Sequence, residues 1–239
     1  MINVLSTVIL TRQLITPELG RSLMQCFVDS EGSFFYPSHA GDVESGTPVF
    51  AEKKMDEFAE LLMGSFLYIA GRKSHKWEGL LEFLPADSRR KRKDPFARIS
   101  VRVLEKNINT PPMVTSFVRL ARDLADTAQA DYARIDYKRA DLADGLNIMK
   151  GLPDVYWWNY LGAPYLELFG REKLLSAPCF QVYKTENAVI LQATESYKET
   201  MGPSFEELKN EIKKHISTRA FRSAKKKVRR PQTPDFEYP

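Results

Sequence analysis

Apolar and polar positions along the chain repeat with a period that changes several times, and each change marks an element. Residues 3–12, NVLSTVILTR, are rich in β-branched side chains and predict a strand. Thr16-Pro17-Glu18 is a helix start, with a capping hydroxyl, a proline in the first turn and an early acid, and the helix is expected to run to about Val28. Glycine and proline punctuate the polar stretch 29–50, which predicts a loop. Met55, Phe58, Leu62, Phe66 and Ile69 lie three or four apart, the stripe of a helix over 53–69 that Gly71 ends. A short buried strand is expected at 77–84. A clearer one at 97–104 puts Ile99, Val101 and Val103 on one side and Arg98, Ser100 and Arg102 on the other.

Between those strands PADSRRKRKDP, flanked by Pro85 and Pro95, predicts a long hairpin loop with a basic tip. Thr110-Pro111 opens a helix with the stripe Val114, Phe117, Ala121, Leu124 and Ala128. The pattern then predicts a strand at 132–137, irregular aromatic chain over 138–163 and a helix over 164–175 broken near Gly170. A β-hairpin follows, pairing 179–183 with 188–193 around 184–187. The last helix, 204–216, carries Phe205, Leu208, Ile212 and Ile216 on one face, with Ser204 and Glu207 in the spacing of a capping box. Together these elements describe an α+β protein, an antiparallel sheet with packed helices. The order helix–hairpin–helix occurs at 53–128 and again at 164–216, which suggests two such units. The expected division is an N-terminal half, 1–130, a C-terminal half, 131–218, and a tail, 219–239. The tail has three prolines and no apolar period, and is expected to be mobile.

Composition narrows the function without choosing one. A chain of 239 residues with 43% hydrophobic residues can bury a core without disulfides or metal. The net charge of +4 comes from two short runs. Residues 219–239 hold seven Lys/Arg against two Asp/Glu, and five basic residues stand together at 89–93; the remainder is acidic. A general nucleic-acid-binding surface therefore does not follow from the total. Cys26 and Cys179 are too few and too far apart for a disulfide framework or a zinc site, and are expected to be buried thiols. The N-terminus lacks a basic leader, and no run approaches the roughly 18 apolar residues of a membrane span, so a cytoplasmic protein with no membrane partner is expected.

No nucleophile elbow, zinc-protease, phosphate-loop or dinucleotide motif occurs, and His39, His75 and His215 are scattered, so no catalytic residue, metal or cofactor is expected. One enzyme-like pattern is Asp136-Tyr137-Lys138 at a strand end. A carboxylate and a lysine on one face could serve metal-dependent phosphodiester cleavage, although the same spacing recurs at Glu52-Lys54 and Glu211-Lys213. The basic run, with Arg89, Arg90 and Arg92, is a candidate partner contact. It would bind phosphate if the chain were a nucleic-acid-binding module using that loop and the tail, and is otherwise a solvated loop. Tyr156, Trp157, Trp158, Tyr160 and Tyr165 form the densest aromatic cluster. They read either as a core plug linking the helical units or, for Tyr156, Trp157, Trp158 and Tyr160, as a partner-binding patch.

The segment Tyr156-Trp157-Trp158-Asn159-Tyr160-Leu161-Gly162, then Pro164-Tyr165, then Leu168-Phe169-Gly170-Arg171-Glu172-Lys173-Leu174, resembles a motif of the Immunity protein 52 family and related type VI secretion immunity proteins. Ala133-Arg134-Ile135-Asp136 and the following hairpin fit the same order, so the resemblance covers about 130–218. It implies an α+β protein, not an enzyme, that binds and neutralises a cognate toxin of a polymorphic toxin system, such as a DNA-cleaving nuclease. The motif positions it carries over are architectural.

Overall fold

The N-terminal strand is the axis about which the rest of the chain is arranged. The computed structural model describes residues 2–41, 49–64, 66–71, 76–108, 110–139, 146–222 and 232–238. β1 (Asn3–Thr11), α1 (Pro17–Val28), β2 (His39–Gly41), α2 (Met55–Gly64), β3 (Phe66–Gly71) and β4 (Trp77–Glu82) come first. α3 (Ala86–Arg92), β5 (Ala97–Leu104), α4 (Pro111–Thr127), β6 (Tyr132–Arg139) and β7 (Trp158–Leu161) follow. α5 (Ala163–Phe169), α6 (Arg171–Leu175), β8 (Gln181–Lys184), β9 (Val189–Gln192) and α7 (Pro203–Ile216) complete the fold. Among the described residues the strands form one nine-stranded antiparallel sheet in the order β2-β3-β4-β5-β1-β6-β7-β9-β8. This is an α+β fold with helices packed on a sheet.

Strand alternation assigns the two faces. Leu5 and Ile9 of β1 join Leu81, Ile99, Val101, Ile135, Trp158 and Tyr160 on the first face, under Leu23 and Phe27 of α1, Phe58 and Leu62 of α2, and Phe117 and Leu124 of α4. Val8 and Leu10 point the other way and join Tyr132, Leu161, Val189 and Leu191 under Tyr165 and Phe169 of α5, Leu174 of α6, and Phe205 and Ile212 of α7. At roughly 2 kcal/mol for each fully buried Leu, Ile or Phe, these two cores supply the main stabilisation. The first core runs across the sheet from β2 to β9. The second covers only β1 and β6 to β9, with Val182 of β8 packed against it, and no side chain of β3, β4 or β5 belongs to it. No helix among the described residues is long and apolar enough to cross a membrane.

Several sequence expectations are corrected. The helix expected over 53–69 ends at Gly64, and its last two stripe positions lie in β3. After Gly64 the pattern switches to alternation, with Leu67 and Ile69 in the core and Phe66 and Tyr68 on the opposite face. The basic hairpin tip is instead a helix, α3, ended by Lys93 in the left-handed conformation (φ 54°). β7 was expected to be irregular; its four residues are all buried, so no polar alternation marks it. Thr16 does cap α1, its hydroxyl accepting from Leu19 N–H at 3.2 Å. Ser204 caps nothing, because α7 begins at Pro203; the capping box belongs to Ser196 and Glu199 at the 3-10 turn Tyr197–Met201. Part of the tail, 223–231, lies outside the described residues, but 232–238 is held down. Phe236 is buried, edge-on to Phe96 (5.0 Å between centroids) and Tyr165 (6.1 Å). The two units proposed as repeats differ, since 53–128 contains three strands and an inserted helix whereas 164–216 contains one hairpin.

Candidate partner-binding surface

Most of the aromatic cluster is spent on the architecture. Trp157, Trp158 and Tyr160 are at most 3% exposed, which removes them from a free binding surface. Trp157 donates its indole N–H to Thr194 O (3.0 Å) and packs edge-on to Tyr197. Tyr160 donates its hydroxyl to Asp126 of α4 (2.9 Å). Asn159 between them holds Tyr156 from both sides, accepting from its N–H and donating to its C=O. Tyr156 is half-buried beneath the Arg134 guanidinium, 4.1 Å from the ring centroid. The segment thus ties the sheet to α4 and to the turn at Tyr197, as its apolar bodies and polar tips allow.

The basic run divides. Arg89 is fully buried and donates to four backbone carbonyls, those of Leu84, Arg12, Pro95 and Gln13, at 2.8–3.1 Å. A planar guanidinium with five donors suits that task, and Arg89 presents no charge at the surface. Arg90 and Arg92 are exposed, and Arg92 pairs with Glu82 of β4 at 3.1 Å. The phosphate-contacting cluster read from the sequence therefore loses one of its arginines and shares another with a carboxylate.

Asp136 and Lys138 do share a face, but Asp136 is held by Arg134 at 2.7 Å. Among the described residues no three His, Cys, Asp or Glu side chains are grouped so that they could hold a metal ion. Both cysteines are free and half-buried, and burial pushes their thiols up, Cys179 to about 12, so neither is a thiolate at neutral pH.

Two clefts remain. One, of about 1090 Å³, is floored by Arg12 and Asp131 and walled by Glu167, Asp235 and Glu237. Its ion pair is bidentate, with both nitrogen–oxygen distances at 3.0 Å. Burial pushes the Asp131 carboxyl up while Arg12 pulls it down, and burial prevails. That pair braces β1 against the start of β6 and reads as structural.

The other cleft, of about 560 Å³, lies on the half of the second sheet face that no helix of the second core covers among the described residues. There β3, β4 and β5 present Tyr68, Glu78, Leu80, Glu82, Arg98, Ser100 and Arg102 to solvent, and Leu80 is 36% exposed. Register pairs Glu78 with Arg102, Leu80 with Ser100 and Glu82 with Arg98. Arg102 binds Glu78 through Nε, and Arg98 reaches Asp94 (4.0 Å) and the carbonyl of Leu146 (2.9 Å). The outward direction of Arg98, Ser100 and Arg102 was legible in the alternation of 97–104. Their place in a site was not, because Leu80, Tyr68 and the cleft at Trp77 come from other strands.

A solved structure, the Pseudomonas aeruginosa T6SS protein PA0821, is similar in fold, with a TM-score of 0.54 at 15% sequence identity over 88% of this chain and 76% of that one. No protein family and no curated protein sequence matches the chain. The likeness in fold takes in more of the chain than residues 130–218 alone.

Proposed function

We propose that this protein is an immunity protein, acting in the cytoplasm, that binds and neutralises a cognate bacterial toxin by direct protein–protein contact. The half of the sheet face left open by the described helices carries the reading: it presents an exposed Leu80, a half-buried Tyr68 and, four residues apart on β5, Arg98 and Arg102, next to a cleft. Neutralisation by occupancy needs a complementary surface of about 800 Å² per partner and no reactive group. The likeness in fold to a T6SS protein and the immunity-family resemblance of 130–218 support the same reading. The test is co-expression with the product of the adjacent gene in a sensitive host. Restored growth and a co-eluting complex are expected; unrestored growth with no complex overturns the reading.

A further inference from the structure

We propose that the cleft on the open half of the sheet is the contact site, and that it takes a carboxylate-bearing loop of a protein partner. The partner's identity as a toxin rests on the function proposed above; the chemistry of the cleft does not. Its floor is apolar, from Val4 and Leu104, and Tyr68 forms a wall. Arg102 and Lys76 supply the cations. Arg102 spends Nε on Glu78, and among the described residues its two terminal nitrogens bind nothing further. Those nitrogens form the pair of parallel donors that a carboxylate accepts. Lys76 is exposed and makes no ion pair among the described residues, and its backbone is fixed by Asn107, which donates to its carbonyl at 3.0 Å. The site therefore offers two cations beside an apolar floor, complementary to an Asp or Glu side chain on a loop that also brings an apolar neighbour.

The same face argues against a polyanion. Glu78, Glu82 and Asp94 alternate with Arg102, Arg92 and Arg98, so a phosphate chain crossing the strands would meet a carboxylate beside each arginine. A single carboxylate entering the cleft meets one carboxylate, Glu78, which Arg102 Nε and the Tyr68 hydroxyl already hold, against the two cations Arg102 and Lys76.

Two measurements test the site. In the first, purified protein is titrated with a Glu-containing octapeptide, its Lys-containing counterpart and a single-stranded oligonucleotide at low ionic strength. The Glu peptide should bind best, and Arg102→Glu and the milder Arg102→Ala should each weaken it about tenfold or more. Arg21→Glu should leave binding unchanged; Arg21 also pairs with a carboxylate, Asp56, but on the helical side. Thermal unfolding confirms that each variant is folded. Equal binding of both peptides, tighter binding of the oligonucleotide, or a Glu-peptide affinity unmoved by both Arg102 variants overturns the proposal. The second measurement repeats the growth-rescue assay with Arg102→Ala. If the wild-type chain rescues, loss of rescue supports the site and full rescue overturns it. If the wild-type chain does not rescue, the toxin-binding reading fails and the peptide titration still decides the cleft.

Discussion

Single residues show how far chemistry and exposure can part. Arg89 sits in the most basic run of the chain, yet it is the internal clamp of α3, satisfying carbonyls from three separate stretches of backbone. Arg89→Ala would leave those buried acceptors without donors and is expected to lower the unfolding free energy by about 3 kcal/mol or more. Arg90→Ala, at an exposed position, should cost less than about 0.5 kcal/mol. Urea denaturation of the two variants separates them, and equal midpoints would refute the clamp. A second buried charge ties the far side together. Lys209 of α7 reaches Asp154 (3.0 Å), and Lys213 holds the same carboxylate. Burial works against ionisation of Asp154, but the two lysines overcome it and keep its carboxyl below the usual range. A carboxyl depressed in the folded state contributes stability above its unfolded value of about 4, and that contribution is lost as the pH falls through the folded value. Asp154→Asn should therefore cost about 1–2 kcal/mol at neutral pH, the lower end reflecting the partial exposure of Asp154. It should also flatten the acid limb of stability against pH, whereas an unchanged acid limb would place the acid sensitivity elsewhere.

At the scale of elements, the same tension sets the tail and the β6–β7 junction. Phe236 fills a socket between Phe96 and Tyr165, with the Arg12 guanidinium 5.6 Å from its ring centroid. Phe236→Ala should cost about 3 kcal/mol through lost burial and the cavity left behind. Protease protection of 232–238 should vanish with it, while an unchanged cleavage pattern would show that the ring does not anchor the segment. Gly162, just after β7, lies so close to β6 that an added Cβ would overlap the carbonyl oxygen of Ala130 and press that of Asp131 at 3.0 Å. Gly162→Ala is expected to cost about 3 kcal/mol, seen as a lower melting temperature. Sequence periodicity located α1, α4 and β5 because each has one wet face, which gives a clean pattern, and the polar turn at 184–187 marked the β8–β9 hairpin. It missed β7, whose side chains are all buried and so show no alternation. It read β3 as helix because Phe66 and Ile69 fall on the helical spacing of Leu62 by chance, and only pairing with β4 decides otherwise. Aromatic density at 156–160 and basic density at 89–93 both named real features of the chain. The buried aromatics and Arg89 proved to be internal supports while Arg90 and Arg92 stay at the surface, because composition does not tell a residue that faces solvent from one that braces the core. The candidate cleft was illegible for the complementary reason, since its lining comes from strands distant in sequence and becomes one surface only through sheet register.

The whole molecule is organised by β1, which lies between β5 and β6 and pairs with both along its length, from Val4 opposite Leu104 and Lys138 to Leu10 opposite Arg98 and Tyr132. A division at 130/131 therefore cuts a continuous sheet. It would leave β6 without its neighbour and strip the first core of Trp157, Trp158, Tyr160, Ile190 and Tyr197, which come from beyond the cut. It would also separate the Asp126 carboxylate from the Tyr160 hydroxyl and Arg12 from Asp131. Neither fragment could bury its apolar face alone, and a sheet edge exposed in the middle of a core invites aggregation rather than an independent fold. Fragments 1–130 and 131–239 should each lack a near-ultraviolet signal and a cooperative melt, and mixing them should restore both. The intact chain should unfold in one transition, with far- and near-ultraviolet signals superimposing. Two separable transitions, or one fragment folding by itself, would instead show that the cores on the two faces hold independently. The open half of the sheet bearing Arg102 would then belong to a unit that could be isolated and tested without the C-terminal motif.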